Sequence, residues 1–436
     1  MISISNINLS VNVRSSSCLL TDLAKGIMEQ LPPCTVPLRF SIVEVENDIF
    51  TTEISTLNWQ GESSFSSTLA DVELLHPRKR QHERDPFCVV QVIPTGIRCE
   101  IGGYAGDACP VTNLLASAAD YVVTHPNAVN ASEINEMARN ILYVEGRSLD
   151  DFLLGRIALA PTGSNRIGTI VDPTGQQFMD YVVNVLNAAR TTAGIDCDLY
   201  SILDNPLNVG IEWSASGCAV GTVSDINSLR RGVENLLSKG AKAIGGMSVI
   251  HGVTQEMFEK HLAGLIPNPS GGIEAIITHL ISKLYRIPTA HAPLPYYQAL
   301  KGQNTTNPRA AAEFISTPHY FCVLKGLHRA PQLIPLAVND ALPVDCIGVE
   351  NVRAVVAPAD ALGGVPALAA QFQNIPIVAV KENQTILNMT AERLKLSNVI
   401  EVNTYLEAAG VVLALRNGLS ISSLKRPITN LINIDA

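Results

Sequence analysis

From Phe87 onward, apolar runs of strand length alternate with runs of helical spacing, and this alternation constrains the fold of the chain more than any other feature. The apolar runs include FCVVQVIPT, RIGTIVD and IPIVAV, and a typical helical run is QQFMDYVVNVLNAARTTAG. Continuous apolar strands joined by helical crossovers are typical of parallel sheets covered by helices on both faces. The sequence therefore predicts an α/β fold with mostly parallel sheets.

The chain divides into segments of different character. Residues 1–76 combine alternating strand-like stretches with one helical run, which predicts a small α+β unit, and the charged residues 77–86 predict a linker in which the basic run is a solvated loop. The rest is too long for one ordinary doubly wound sheet. We therefore expect two Rossmann-like lobes, residues 87–160 and 161–339, and a C-terminal α/β segment, 340–436, that can complete the first lobe.

Composition excludes several classes of protein. Hydrophobic residues make up 47% of the 436 residues and charged residues 16%, so a large core is available. The net charge of -9 argues against a nucleic-acid binder. No apolar run reaches the roughly 20 residues that span a bilayer, and the N-terminus lacks the pattern of a secretory signal. We expect a cytoplasmic protein without a membrane partner, and a homo-oligomer stays open.

Polar residues follow several predicted strands, at the carboxyl edge where parallel sheets bind ligands. Three of the nine histidines hold such positions, namely His125, His251 and His291, and Lys381 and Glu382 follow another strand. Imidazole titrates near neutral pH. We expect at least one of these histidines to act in acid–base catalysis, with Lys381 and Glu382 stabilising charge or serving as a second acid or base.

Glycine-rich loops precede four predicted helices. The N–H groups at such a helix start suit a phosphate or carboxylate, so these loops predict an anion site. None matches G-x-G-x-x-G or a phosphate-binding loop with its Lys-Ser/Thr, so the sequence disfavours a dinucleotide or nucleoside triphosphate and leaves the cofactor unknown. The candidate substrate-binding residues in and around these loops are Thr95, Gly102, Gly103, Gly106, Asp107, Asn127, Ser214, Ser216, Arg309, Asp360, Gly363, Gly364 and Asn383.

Three other chemistries find weaker support. No metal-binding motif is present, although the strand-end histidines and aspartates can converge in space. Cys109 stands just ahead of a predicted helix, which favours a thiolate, but the nine scattered cysteines are expected to be mostly reduced core thiols. The SASG stretch lacks the G-x-S-x-G pattern of a serine nucleophile. His279 lies inside an apolar helical run and is expected to pack in the core.

Several distinctive segments resemble an uncharacterised family of cyanobacterial and algal proteins that is known as a domain of unknown function. They are PTGIRCEIGGYAGDACP, THPNAVN, YVEGRSLDDF, GGIEAIITHL, AHAP, PRAAAEF and CVLKGLHRAPQ. The resemblance runs over about residues 87–427 and leaves out residues 1–76. Relatives carry Gly-Ala where this chain has Arg98-Cys99, which puts the shape of that loop in doubt. The resemblance implies no activity, but it implies that these segments act together.

These features together favour an enzyme that acts by acid–base chemistry, in a cleft between the two lobes, on a small metabolite bearing a phosphate or carboxylate. The glycine loops hold the anion in this hypothesis, and Asn127 and Asn383 orient the substrate. One alternative is a non-catalytic small-molecule binder or sensor that uses the same loops. A second alternative is a metal-dependent hydrolase.

Overall fold

A computed structural model describes the chain at residues 2–13, 18–59, 77–104, 106–130, 137–173, 176–294 and 319–431. Within these residues the chain forms 12 helices and 18 strands, and the strands form five sheets.

The N-terminal unit is a three-stranded antiparallel sheet with one helix. Its elements are β1 (Ile2–Asn12), α1 (Leu19–Gln30), β2 (Thr35–Glu46) and β3 (Ile49–Trp59). The sheet order is β1-β3-β2. The first four residues of β2 are all buried, and from Leu38 to Ile42 burial alternates, as in a strand with one covered face. Val36 and Leu38 pack in a core with Ile244, and Phe40 and Ile42 pack in a separate core with Val355. The N-terminal sheet therefore contacts two different hydrophobic cores of the remaining chain.

The next part of the chain alternates strands and helices. It contains β4 (Cys88–Gln91), α2 (Cys109–Ala118), β5 (Tyr121–Thr124), α3 (Pro126–Val129), β6 (Ile141–Tyr143), α4 (Gly146–Leu153) and β7 (Ile157–Ala160). All four residues of β4 are buried, which fits a central strand covered on both faces.

The middle of the chain carries the second set of strands. Its elements are β8 (Ile167–Val171), α5 (Gln176–Ala193), β9 (Leu199–Ile202), β10 (Val209–Trp213), β11 (Ala219–Thr222), α6 (Ile226–Ser238), β12 (Ala243–Ser248), β13 (Ile250–His251), α7 (Gln255–Leu262), α8 (Gly271–Tyr285) and β14 (Thr289–Pro293).

The C-terminal part returns to the first set of strands. It contains α9 (His319–Arg329), β15 (Gln332–Pro335), a 3-10 turn at Val349–Asn351, β16 (Val352–Pro358), α10 (Val365–Gln373), β17 (Ile377–Val380), β18 (Val399–Val402), α11 (Tyr405–Arg416) and α12 (Ile421–Leu424).

Two parallel sheets form the framework. The six-stranded sheet has the order β18-β17-β16-β4-β5-β6, and the four-stranded sheet has the order β14-β12-β8-β9. The direction of winding reverses between β16 and β4 in the first sheet and between β12 and β8 in the second. Parallel sheets bind ligands at the carboxyl ends of the strands next to such a reversal. The predicted α/β fold is confirmed.

Helices cover both faces of each parallel sheet. On the six-stranded sheet, α2 and α11 pack on one face, and α4 and α10 share a core with the N-terminal unit on the other. On the four-stranded sheet, α6 and α8 pack on one face and α5 and α9 on the other. The helices cover the two faces of each sheet, so polar side chains from neighbouring strands can meet at the carboxyl ends of the strands.

The basic segment that we predicted to be a solvated loop is bound to the protein. Arg78 is 3% exposed and pairs with the buried Glu350, and Arg80 donates to the backbone carbonyls of Val352, Gln373 and Asn374. The prediction is wrong for these two arginines because each guanidinium finds carbonyl or carboxylate partners at the end of α10 or beside β16.

Candidate active site

Three side chains form a hydrogen-bonded chain at the carboxyl end of the four-stranded sheet. The Oγ of Ser248 lies 2.8 Å from the Nε2 of His291, and the Nδ1 of His291 lies 3.2 Å from Oε2 of Glu274. The side chain of His291 is 1% exposed and that of Glu274 is 18% exposed. A serine, a histidine and a carboxylate in this order are the arrangement that activates a hydroxyl for nucleophilic attack.

Small residues let these three elements approach one another. Ser248 ends β12 and His291 lies on the neighbouring strand β14, in register with Gly246. A Cβ at Gly246 would stand 2.8 Å from Cδ2 of His291, so any larger residue would displace the imidazole. Helix α8 carries Glu274 and approaches β11 closely because residue 272 is glycine. Packing of glycine backbones therefore fixes the geometry of the three side chains.

Asp172, at the end of β8, holds the backbone next to Ser248. Its carboxylate accepts hydrogen bonds from the N–H groups of Leu207 and Val249 at 2.9 and 3.0 Å. Burial raises the pKa of Asp172, while these N–H groups and the nearby His291 and His251 oppose that change. Asp172 therefore interacts electrostatically with His291 and His251, although His251 is exposed. The sequence placed His291 at the end of a strand, but it lies in the middle of β14, which continues to Pro293.

Ser248 and Glu274 were not among the predicted site residues. Ser248 looks like the end of an apolar strand, and Glu274 lies in the first turn of an amphipathic helix where an acidic residue also stabilises the helix dipole. The sequence offered one indication for each residue: Glu274 lies within GGIEAIITHL, and Ser248 ends a predicted strand. Neither indication pointed to a catalytic role until the structure placed both side chains beside His291.

His125 and Asn127 hold one backbone segment rather than joining His291. The N–H of Ile93 donates to Nε2 of His125 at 2.9 Å, and the amide of Asn127 donates to the carbonyl of Ile93 at 2.9 Å. Burial lowers the pKa of His125 to about 4, so the ring is neutral at physiological pH. The two residues fix the start of the glycine loop that follows β4.

The predicted anion loop is closed by its own hydrogen bonds. Asp107 accepts the N–H of Gly102 at 2.9 Å, and the buried Asn383 accepts the N–H of Ile101 at 2.8 Å. The N–H of Gly102 is therefore engaged within the protein. Gly102 and Gly106 both have positive φ, which explains why glycine occupies the two turns. The predicted contact of Gly102 and Gly103 with an anion stays untested.

The other candidates at the six-stranded sheet also contact protein groups. Lys381 pairs with Glu401 at 2.8 Å, with each side chain 52% exposed, and Glu382 accepts the N–H of Tyr405 at the start of α11. Asp360 accepts hydrogen bonds from the N–H and hydroxyl of Thr385. These residues follow strands of the sheet that does not contain His291.

Gly363 and Gly364 lie against the N-terminal unit. The carbonyl of Gly363 accepts the N–H of Ile42, and Gly364 forms a bridge with Ser41. Thr95 approaches Gly271 at the start of α8, where a Cβ on the glycine would stand 3.0 Å from its Cγ2. Arg309 lies outside the described residues.

Ser214 and Ser216 lie in the turn between β10 and β11. The N–H and Oγ of Ser216 each donate to the carboxylate of Glu53 at 2.9 Å, and the Oγ of Ser214 lies 3.1 Å from that of Ser216. Glu53 belongs to β3 of the N-terminal unit. Ser216 thus joins the hairpin to the N-terminal sheet, and Ser214 borders a groove there.

A second buried polar cluster joins α4 and α8. His279, which we expected in the core, contacts Oε1 of Glu145 through its Nδ1, and Ser148 and Ser282 are hydrogen-bonded at 2.8 Å. Lys283 is 4% exposed, and burial lowers its pKa well below the usual value. His279 is therefore partly buried as expected, but it serves a polar contact and not apolar packing alone.

Cysteine and metal chemistry gain no support among the described residues. Burial raises the pKa of the Cys99 thiol well above its usual value and also raises that of Cys218, which disfavours a thiolate at either position. In the parts of the chain that the structure describes, no group of three or more histidine, cysteine, aspartate or glutamate side chains is arranged to hold a metal ion.

Comparison with known proteins corrects the expected location. The chain is 35% identical, over 337 residues, to an uncharacterized lipoprotein of Synechococcus; the match covers 77% of this chain and 92% of the relative. Because this relative is named a lipoprotein, our prediction of a cytoplasmic protein is contradicted. Among the described residues, no helix has the length and apolar character to cross a membrane.

A match to a family model confirms the predicted resemblance. A family described as a protein of unknown function, DUF3326, matches residues 88–425, close to the expected span of about 87–427. The N-terminal unit up to Trp59 lies outside the match. By this match and by its similarity to the Synechococcus protein, the chain belongs to the DUF3326 family of proteins of unknown function.

Proposed function

We propose that the protein is an enzyme in which Ser248 is the nucleophile, His291 the general base and Glu274 the group that orients His291. The observation that carries the proposal is the continuous chain of contacts, with 2.8 Å between Ser248 Oγ and His291 Nε2 and 3.2 Å between His291 Nδ1 and Glu274 Oε2. The first distance is within hydrogen-bond reach for a nucleophile and its base, and the second is within reach for a base and the group that orients it.

The carboxylate determines which nitrogen of His291 is available. A carboxylate only accepts hydrogen bonds, so Glu274 stabilises the tautomer with the proton on Nδ1. The lone pair of Nε2 then faces the hydroxyl of Ser248, which donates to it. In this tautomer His291 can take the Ser248 proton, and Glu274 stabilises the imidazolium that results.

The position within the sheet supports a ligand site. Ser248 and Asp172 end the two neighbouring strands, β12 and β8, between which the winding of the four-stranded sheet reverses. Asp172 fixes the N–H of Val249, the residue after Ser248, and so holds the local backbone. The strand order of the larger sheet equals the 3-2-1-4-5-6 order of Rossmann folds, which supports the Rossmann-like prediction for that half.

The reaction class that fits these residues is acyl transfer to Ser248 followed by hydrolysis. The Oγ of Ser248 attacks a carbonyl carbon, its proton moves to Nε2 of His291, and the leaving group departs with that proton. Water then gives a proton to His291 and attacks the acyl carbon. The carbon–Oγ bond breaks, the acid leaves, and His291 returns the proton to Oγ of Ser248. We propose that the substrate is a small metabolite with a phosphate or carboxylate. Its anionic group binds away from Asp172 and Glu274, because their carboxylates would repel it.

Covalent labelling tests the proposal. Ser248 is 1% exposed, so a compact reagent such as diisopropyl fluorophosphate is suitable. The Ser248 Oγ–phosphorus bond forms as the phosphorus–fluorine bond breaks and His291 accepts the proton. We expect mass spectrometry to locate one adduct on Ser248, absent in Ser248→Ala and strongly reduced in His291→Gln. Ser238→Ala, at an exposed serine of α6, is the matched control and should label normally.

Labelling at another residue, or labelling that persists in Ser248→Ala, would contradict the proposal. Thermal unfolding of each variant separates loss of the nucleophile from loss of the fold.

For the location, we propose that the chain is associated with a membrane, because its Synechococcus relative is named a lipoprotein. Fractionation of cells that express the full chain tests this. Recovery in the membrane fraction after a high-salt wash, and release by detergent, is the expected result. Recovery only in the soluble fraction would contradict it.

A further inference from the structure

A groove of about 270 Å³ lies between the N-terminal sheet and the β10–β11 hairpin. Asn8, Arg39 and Ser55 line it from the N-terminal sheet, and Trp213, Ser214 and Ala215 line it from the hairpin. None of the residues of the proposed active site borders it. The volume is just below the ~300–1,000 Å³ typical of sites for drug-sized molecules, so the groove suits a compact ligand.

Both carboxylates that border the groove are already hydrogen-bonded. Glu53 is 6% exposed and accepts the N–H and Oγ of Ser216, and Glu212 accepts the side-chain amide of Asn6 at 2.9 Å. Their geometry is therefore fixed by protein donors.

The guanidinium of Arg39 is different. It forms no hydrogen bond and no ion pair with any residue in the described part of the chain, although it lines the groove and is partly buried. A guanidinium offers five N–H donors in a fixed plane, and it binds carboxylate and phosphate groups through paired, charge-assisted hydrogen bonds. The positive charge of Arg39 acts on Asp150 and Cys218, where it opposes the rise in pKa that burial causes. Its N–H donors make no hydrogen bond to the described residues, whereas both carboxylates of the groove are occupied.

Trp213 supplies a second kind of contact. Trp213 lines the same groove and is 42% exposed, so part of this residue is accessible to a ligand. Indole favours stacking with flat groups, and tryptophan and arginine are both enriched among the residues that carry binding energy at interfaces.

We propose that this groove binds a compact anion that carries a planar ring, with the carboxylate or phosphate on Arg39 and the ring against Trp213. Asn8, Arg39 and Ser55 lie outside residues 88–425, the span matched by the family, whereas Trp213 and Ser214 lie within it. The N-terminal unit therefore adds a ligand site to the family domain. This site is separate from Ser248 and does not rest on the proposed reaction.

The chain holds two tryptophans, Trp59 and Trp213, which allows a direct test. In Trp59→Phe, the remaining fluorescence reports on the groove. Titration with phenyl phosphate or benzoate, up to ~10 mM, should give saturable quenching, and the anion that binds more tightly identifies the preferred group. Phenol, which has the ring without the anion, should bind at least ~10-fold more weakly.

Arg39→Gln should weaken binding of the anions at least ~10-fold, and Arg39→Lys should weaken it less. Ser248→Ala should leave the titration unchanged. Thermal unfolding confirms that each variant folds, and calorimetric titration of the unmodified chain replaces fluorescence if Trp59→Phe is unstable. Absence of quenching and of heat with both anions, or equal affinity in Arg39→Gln, would overturn the proposal.

Discussion

Glu145 and His279 join helices α4 and α8 inside the protein through a contact between the carboxylate Oε1 and the ring Nδ1. The Glu145 side chain is 1% exposed. Its Oε2 also accepts the N–H groups of Arg147 and Ser148, so the same carboxylate caps the start of α4. One residue thus connects YVEGRSLDDF with GGIEAIITHL, two of the segments by which we identified the family.

Glu145→Gln is expected to destabilise the protein by about 2–3 kcal/mol, because it removes the charge that these donors stabilise. Chemical denaturation at pH 7 measures this difference. Glu29→Gln is the matched control, since Glu29 is 65% exposed in a surface ion pair of α1 and should change the stability by less than about 0.5 kcal/mol.

The effect of Glu145→Gln should also depend on pH. Burial by itself would raise the pKa of Glu145, but His279 and the N–H of Arg147 together lower it below the usual value. A lowered pKa contributes stability above the unfolded value of about 4.3, and this stability is lost as the pH falls through the folded pKa. The difference between the two proteins should therefore shrink below about pH 4. A difference that grows there would contradict this assignment.

The sequence was sufficient for the fold class. Continuous apolar strands with helical crossovers predicted the parallel sheets. The positions of the polar residues were less predictable, since His291 lies in the middle of β14, which continues to Pro293. The pattern could not say that His125 lies at a different sheet, because both histidines follow similar apolar runs.

The partners of these residues depended on tertiary contacts. Ser248 and Glu274 are separated by 26 positions along the chain and meet only because α8 packs beside β14. Asn127 looked suited to orient a substrate, yet its amide holds the carbonyl of Ile93. A polar residue at a strand end signals a hydrogen bond, and the sequence does not reveal whether its partner is a ligand or the backbone.

His125 should make stability depend on pH over a separate range. Burial lowers its pKa from 6.5 to about 4, and its neutral Nε2 accepts the N–H of Ile93. As the pH falls from 6.5 toward 4, the unfolded chain gains a proton that the folded protein does not accept, so stability decreases by up to about 3 kcal/mol. His125→Gln should show a flatter profile over this range in denaturation measurements.

The control for His125 is His82→Gln, since His82 lies at an exposed position of the basic segment. This variant should reproduce the pH profile of the unmodified protein. If His125→Gln also reproduces that profile, the buried neutral histidine is not the source of the pH dependence.

Gly272→Ala and Gly410→Ala should change stability in opposite directions, although both positions lie in helices. A Cβ at Gly272 would stand 2.0 Å from the carbonyl oxygen of Ala219, so α8 must move away from β11, at an expected cost of about 1–3 kcal/mol. A Cβ at Gly410 meets no atom within 4 Å, and alanine should stabilise α11 by about 0.5–1 kcal/mol. Thermal unfolding measures both. A neutral Gly272→Ala would show that α8 is not fixed by this contact.

Glu274→Gln tests whether Glu274 positions His291 for proton transfer. Glutamine keeps the size of the side chain but removes the charge, and its amide can donate to Nδ1 and so place the imidazole proton on the wrong nitrogen. The rate of diisopropyl fluorophosphate labelling at Ser248 should fall on the order of 10²-fold or more, while thermal unfolding stays close to that of the unmodified protein.

Glu274→Asp, which restores the carboxylate, should recover part of the rate. Glu256→Gln, at a 75% exposed side chain of α7, should label at the normal rate. Normal labelling of folded Glu274→Gln would show that the carboxylate is a structural partner of His291 without a role in activating Ser248.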